Sequence, residues 1–204
     1  MSIEVDFWFD PICPWTWVTR QWLDEVVAAR DVRIRHRLMS LTMLNWERRQ
    51  ADGADVDDLV AAWQMLRTLA AAEASLGDEA VGRIYSALGR RLHEEGRSVS
   101  SEDLSAVKEA AVEAEVPVDV TWYDVDDRYD PLIRASHDEA VRRTGPDVGS
   151  PVLGIGDFTV FGPVVSPAPR GQDAIRLWDA IVLLAEVPGF YELKRGRVGR
   201  PLTR

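Results

Sequence analysis

Near its start the chain sets out a strand, a helix and a second strand in quick succession, and that order leaves few folds open. Ile3, Val5, Phe7 and Phe9 alternate with Glu4 and Asp6, the period-two pattern of a strand with one buried face. From about Pro14 to Arg30 the period lengthens to that of a helix, with Val18, Trp22 or Leu23, Val26 and Ala29 as its apolar stripe. Val32, Ile34, His36 and Leu38 then alternate with Arg33, Arg35 and Arg37. Two such strands joined through a helix pair in parallel, as a βαβ unit. The three arginines on one face suit a sheet edge, where charge discourages pairing with another chain.

The middle of the chain is helical. Leu59, Trp63, Leu66 and Ala70 keep helical spacing, as do Val81, Ile84, Tyr85, Leu88 and Leu92, and then Leu104, Val107, Ala111 and Ala114. Ser100 with Asp103 predicts the start of the third of these helices. Met39 to Gly53 is irregular and carries Asn45 and Trp46, and Val116 to Asp127 reads as a loop or a short helix. Asp130-Pro131 is an N-cap and first-turn pair that opens a helix running to Gly145-Pro146. Two short apolar runs, Val148 to Ile155 and Phe158 to Pro163, flank Gly156-Asp157 and read as a β-hairpin. A last helix spans about Gly171 to Glu186, and the basic tail from Lys194 to Arg204 is expected to be partly mobile. The chain thus divides into a β-α-β half (1–52), a helical insertion (53–146) and a β-β-α half with the tail (147–204).

The chain holds a single cysteine, Cys13, and Pro14 follows it at the junction of the first strand and first helix. Proline suits the first helical position, where its missing N–H has no partner to lose. Cys13 then falls at the N-cap, facing unpaired backbone N–H groups and the positive end of the helix dipole. Both favour thiolate, so a low-pKa nucleophile is expected. A lone cysteine excludes an intrachain disulfide and fits a reducing compartment. The start, Met1 to Asp6, lacks the basic and apolar segments of a secretory signal, and no apolar run reaches membrane-span length. The expected location is cytoplasmic. With 204 residues, 46% of them hydrophobic, the chain can bury a sizeable core, and a net charge of −10 argues against nucleic acid as a partner. Three scattered histidines and one cysteine give no metal-ligand spacing. His36 reads as a satisfied core residue, His93 as a surface residue, and His137 as a structural hydrogen-bonding group rather than a base near Cys13.

Phe7-Trp8-Phe9-Asp10-Pro11-Ile12-Cys13-Pro14-Trp15 resembles the active-site opening of the DsbA-like thioredoxin superfamily. More narrowly, the chain resembles the actinobacterial mycothiol-dependent nitroreductase family. The similarity also runs through the Asn45 loop, Ile133-Arg134-Ala135-Ser136-His137, Asp147 to Val152, Phe161-Gly162-Pro163-Val164, and the stretch from Arg170-Gly171 through Leu177-Trp178-Asp179 to Pro188 to Arg195. The resemblance implies an α/β thioredoxin fold (βαβ followed by ββα) with a large helical insertion between the halves. It implies catalysis at Cys13, to which this chain's own Thr16 is added below, and substrate contacts from Pro14, Trp15, Asn45, Ser150 and Pro151. Ser150–Pro151 is the cis bond it implies at the start of the third strand, with the Ser150 backbone facing substrate. Mycothiol or a similar small thiol would be the cosubstrate, an electrophilic or disulfide compound the other reactant, and no tightly bound cofactor is implied. A homodimer rests on analogy alone.

One position departs from the family. Members active in disulfide exchange carry a second cysteine where this chain has Thr16, so Cys13 cannot release a mixed disulfide by internal attack. The expected chemistry is therefore a monothiol oxidoreductase, with an external thiol resolving the adduct and the Thr16 hydroxyl supporting the thiolate. Two other readings stay open. One is an enzyme like the kappa-class glutathione transferases and hydroxychromene-carboxylate isomerases, which activate a bound thiol; the other is a thioredoxin-like binding protein without turnover.

Overall fold

In a computed structural model of the chain, residues 2–45, 56–117, 119, 126–197 and 199–203 are described. Trp46 and most of Val116 to Asp127 lie outside them. The described elements are β1 (Ile3–Phe9), α1 (Pro14–Ala29), β2 (Val32–Leu38), α2 (Leu41–Leu44), α3 (Val56–Leu76), α4 (Asp78–Gly89), α5 (Ser105–Glu113), α6 (Asp130–Thr144), β3 (Val152–Ile155), β4 (Phe158–Phe161) and α7 (Gly171–Ala185). A π turn, Arg90–Glu94, continues α4, and a 3-10 turn, Asp127–Tyr129, leads into α6.

The strands form one sheet in the order β2-β1-β3-β4. β1 and β2 are parallel, Phe7 opposite His36 and Phe9 opposite Leu38. β3 runs antiparallel to both β1 and β4, with Trp8 opposite Val152 and Val152 opposite Phe161. The arginine-bearing β2 is an edge strand, as its charges suggested. With the helices between the two halves, this is the thioredoxin fold in its DsbA-like form.

Alternation along β1 sorts its side chains between two layers. Val5, Phe7 and Phe9 enter the main core with Val18, Trp22 and Leu23 of α1, Leu66 and Leu69 of α3, Tyr85 of α4 and Trp178 of α7. Trp8 points the other way, into a smaller cluster with Met39, Ala140 and Val152. Its indole N–H donates to the Ser136 carbonyl at 3.0 Å, and Arg37 and Arg143 lie over its ring at 5.8 and 5.4 Å. The helical insertion and the sheet share one hydrophobic cluster, so α4 reaches β1, the strand that leads to the cysteine turn. Tyr85 stacks on Phe9 with ring centroids 4.0 Å apart.

Two glycines allow that approach. A Cβ on Gly82 would lie 2.4 Å from the His36 ring, and one on Gly89 would lie 2.2 Å from the Trp17 indole. No side chain fits at such separations, so glycine is what lets α4 close on β2 and α1.

Two expectations shift here. The third insertion helix starts at Ser105 rather than Ser100, because Ser100 and Asp103 bond each other. Their backbone N–H groups donate to each other's carbonyls at 3.1 and 3.2 Å, and the Asp103 carboxylate takes the Ser105 N–H at 2.9 Å. His36 is buried but not satisfied: neither ring nitrogen has a hydrogen-bond partner among the described residues. Burial, followed by the nearby Arg20 guanidinium, lowers its pKa to about 3, so the ring stays neutral.

Candidate active site

β1 delivers Asp10 to the end of the sheet, and a tight turn carries the chain back into α1. The Cys13 N–H donates to the Asp10 carbonyl at 3.0 Å. Pro14 occupies the first turn of α1, with Cys13 as the extended N-cap residue. Asp10 is fully buried and anchors two segments. Its carboxylate accepts the Ile12 N–H at 3.0 Å within the turn and the Leu41 N–H at 2.7 Å from α2. The sequence patterns above assign Asp10 no role of its own. An aspartate closing an apolar strand, two residues before a turn N–H, was the available signal.

The opposite wall comes from the start of β3. The Ser150–Pro151 bond is cis, as are Gly162–Pro163 and Ser166–Pro167. The Cys13 thiol donates to the Ser150 carbonyl at 3.4 Å. The Ser150 hydroxyl oxygen accepts the Asp10 N–H at 3.1 Å and lies 2.6 Å from the Thr16 hydroxyl. Cys13, Thr16, Asp10 and Ser150 thus form one buried polar cluster between the motif turn and β3. The Ser150 carbonyl, expected to face substrate, is taken by the thiol in this state.

The expected low thiol pKa is not what this arrangement produces. Burial pushes the Cys13 pKa up, and that outweighs the rest. The Thr16 hydroxyl and N–H, and more weakly the Trp15 N–H, pull it down, while the Asp10 charge pushes it further up. The helix start does bring N–H groups to the sulfur, but Cys13 is only 5% exposed, and the lost hydration wins.

The remaining expected residues sort by position. Pro14 and Trp15 are half-buried beside the sulfur, and Arg197 of the tail lies over the Trp15 ring at 5.4 Å. Trp17 is core, edge-on to Tyr85. Asn45 closes α2, its side-chain amide donating to the Leu41 carbonyl at 2.9 Å. One link to the cysteine cluster runs through Leu41, whose N–H is held by Asp10. His137 is buried, and its Nδ1 accepts the Ser40 N–H at 3.3 Å, a structural bond. His93 is not a surface residue. The π turn after α4 carries it under the motif, where its Nε2 lies 2.9 Å from the Pro11 carbonyl and burial lowers its pKa. Among the described residues no cluster of His, Cys, Asp and Glu could hold a metal ion.

A sheet of this topology with a cysteine at the first strand–helix junction and a cis-proline facing it defines the DsbA-like class of thioredoxin-fold proteins. Within that class the chain belongs to the mycothiol-dependent nitroreductase family described as Rv2466c-like, whose model matches residues 12–195. It is 29% identical to the uncharacterized protein Rv2286c of Mycobacterium tuberculosis, over 94% of this chain and 81% of that one. Among solved structures it is similar to a probable DsbA oxidoreductase, SCO1869, of Streptomyces coelicolor, with a TM-score of 0.62, 22% identity, and 95% and 93% of the two chains covered. It is also similar to the cytosolic disulfide reductase DsbM of Pseudomonas aeruginosa solved with GSH, with a TM-score of 0.59, 14% identity, and 89% and 100% covered. Family and fold together support thiol-dependent redox activity.

Proposed function

We propose that this protein is a monothiol oxidoreductase in which Cys13 is the sole sulfur nucleophile and a small thiol such as mycothiol supplies the electrons. The observation that carries the reading is the Cys13 sulfur 3.4 Å from the Ser150 carbonyl, at the start of β3, with Thr16 where a resolving cysteine would stand. With a disulfide substrate, the Cys13 thiolate attacks one sulfur, the substrate S–S bond breaks, and the other half leaves as thiolate. A mycothiol thiolate then attacks the substrate-derived sulfur of the adduct, Cys13 leaves as thiolate, and the substrate half ends joined to mycothiol as a mixed disulfide. With a nitro compound, two thiols are oxidised for each oxygen lost as water. One is Cys13 and the other mycothiol, leaving a Cys13–mycothiol disulfide that a second mycothiol reduces.

Thr16 acts here on the thiolate as a hydrogen-bond donor. Pro14, Trp15, Asn45, Ser150 and Pro151 contact the substrate, which sits between the motif turn, the start of β3 and the helical insertion. A reducing cytoplasm would keep the single thiol available; no helix of the described residues is long and apolar enough to cross a membrane. The test compares wild type and Cys13→Ser on nitroaromatic and disulfide substrates with mycothiol supplied, and weighs the oxidised protein by mass spectrometry. The expected result is loss of thiol-dependent turnover in the variant and one mycothiol on wild-type Cys13. Turnover unchanged in Cys13→Ser would sink the proposal.

A further inference from the structure

Past Glu192 the chain carries no acidic residue, yet Lys194, Arg195, Arg197 and Arg200 are all there in a protein of net charge −10. This tail folds back on the motif side of α1. The Leu202 N–H donates to the Ser166 hydroxyl at 2.8 Å, the Thr203 hydroxyl donates to the His93 carbonyl at 2.6 Å, and the Gln21 amide donates to the Thr203 carbonyl at 3.2 Å. It thereby sets the exposed Arg197 guanidinium over the ring of Trp15, the residue whose backbone N–H reaches the Cys13 sulfur. Many surface arginines meet carboxylates, as in Arg30–Asp179, Arg35–Glu4, Arg90–Glu113 and Arg97–Glu109. Arg197 has no acidic partner among the described residues. A guanidinium stacked on an aromatic face keeps its N–H fork free at the ring's edge, and that fork matches a carboxylate.

We infer that Arg197 is a specificity-determining residue that selects substrates carrying a carboxylate close to the atom Cys13 attacks. This rests on the proposed role of Cys13 as nucleophile. On this reading the tail acts as one wall of the site, held there by its bonds to Ser166, His93 and Gln21.

Two aryl disulfides test it on the full-length protein at one pH: dithiobis-nitrobenzoate, which bears a carboxylate on each ring, and the neutral dithiodipyridine. In each case the Cys13 thiolate forms a new S–S bond, the aryl disulfide bond breaks, and the leaving thiolate takes the electron pair, read as yellow thionitrobenzoate or as near-ultraviolet-absorbing thiopyridone. Arg197→Gln should slow labelling by the carboxylate probe roughly tenfold, the size of one charge-assisted contact, and change the neutral probe less than about twofold. Arg197→Lys should fall between, keeping the charge without the fork. Added salt should slow only the carboxylate probe on the wild type, and Arg197→Gln should lose that dependence. Equal effects on both probes, or none, overturn the inference and leave the thiol reading standing. Wild-type Cys13 that neither probe labels overturns both.

Discussion

The Cys13 thiol donates to the Ser150 main-chain carbonyl at 3.4 Å, across 137 residues of sequence. That bond favours the protonated sulfur, since a thiolate would face the carbonyl's lone pairs. Ionisation must therefore pass the sulfur to its other neighbours, the Thr16 hydroxyl and the N–H groups of Thr16 and Trp15. The Ser150 hydroxyl can set this up by taking the Asp10 N–H and donating in turn to Thr16, which leaves the Thr16 proton for sulfur.

Alkylation of Cys13 by a neutral reagent should accordingly rise with pH about a midpoint above that of free cysteine, because burial outweighs the stabilising contacts. Thr16→Ala removes one of those contacts and should move the midpoint higher still. A wild-type midpoint below that of free cysteine would mean that the helix start, not burial, governs the sulfur.

Ser150→Ala tests the hydroxyl bridge. It strips the Asp10 N–H of its acceptor and Thr16 of its 2.6 Å neighbour inside a buried cluster. Leaving such groups unsatisfied costs about 1–3 kcal/mol. The urea midpoint should drop accordingly with an unchanged slope, and the alkylation midpoint should rise as it does in Thr16→Ala. An unchanged urea midpoint would show that Ser150 Oγ bears no load there.

The strand periods, the Gly156-Asp157 turn and the Cys13-Pro14 junction were legible because each is written locally: in alternation, in turn residues, in proline at a helix start. The approach of Cys13 to Ser150–Pro151 came from the family pattern rather than from any local signal. What stayed hidden depends on tertiary packing. Desolvation of Cys13 is a property of the packed chain, in which the sulfur is only 5% exposed, and no local pattern carries it. His93 looked exposed because a π turn, not a regular helix, carries it beneath Pro11. His36 sits on the expected apolar face, but no sequence pattern reveals that α4 would cover it at Gly82 with nothing among the described residues to bond its nitrogens.

His36 makes stability fall in acid. Its folded-state pKa of about 3 lies below the ordinary value of 6.5, so the unfolded chain binds the proton more readily. The neutral ring's contribution is complete above pH 6.5 and is lost as pH falls from there toward 3. By pH 5 the loss is on the order of 2 kcal/mol. Urea unfolding at neutral pH and at pH 5 should show it in the wild type, and His36→Leu should flatten the difference by a similar amount. An equal pH effect in both proteins would assign the acid sensitivity to other groups.

Thr16→Cys is the sharpest probe of the proposed monothiol mechanism. Positions 13 and 16 stand one turn apart at the start of α1, so two sulfurs there could join without moving the backbone far. The second thiol should attack the Cys13 adduct, expel the bound thiol and leave an internal disulfide. Oxidised in the presence of mycothiol, wild type should hold one mycothiol per chain. Thr16→Cys should carry the adduct only briefly and then weigh two hydrogen atoms less than its reduced form. Turnover in the variant should become less dependent on mycothiol for adduct release, though an external reductant is still needed to reopen the disulfide. A lasting mycothiol adduct on Thr16→Cys would mean that the two positions cannot meet, and that the absent second cysteine is not what limits this site to an external thiol.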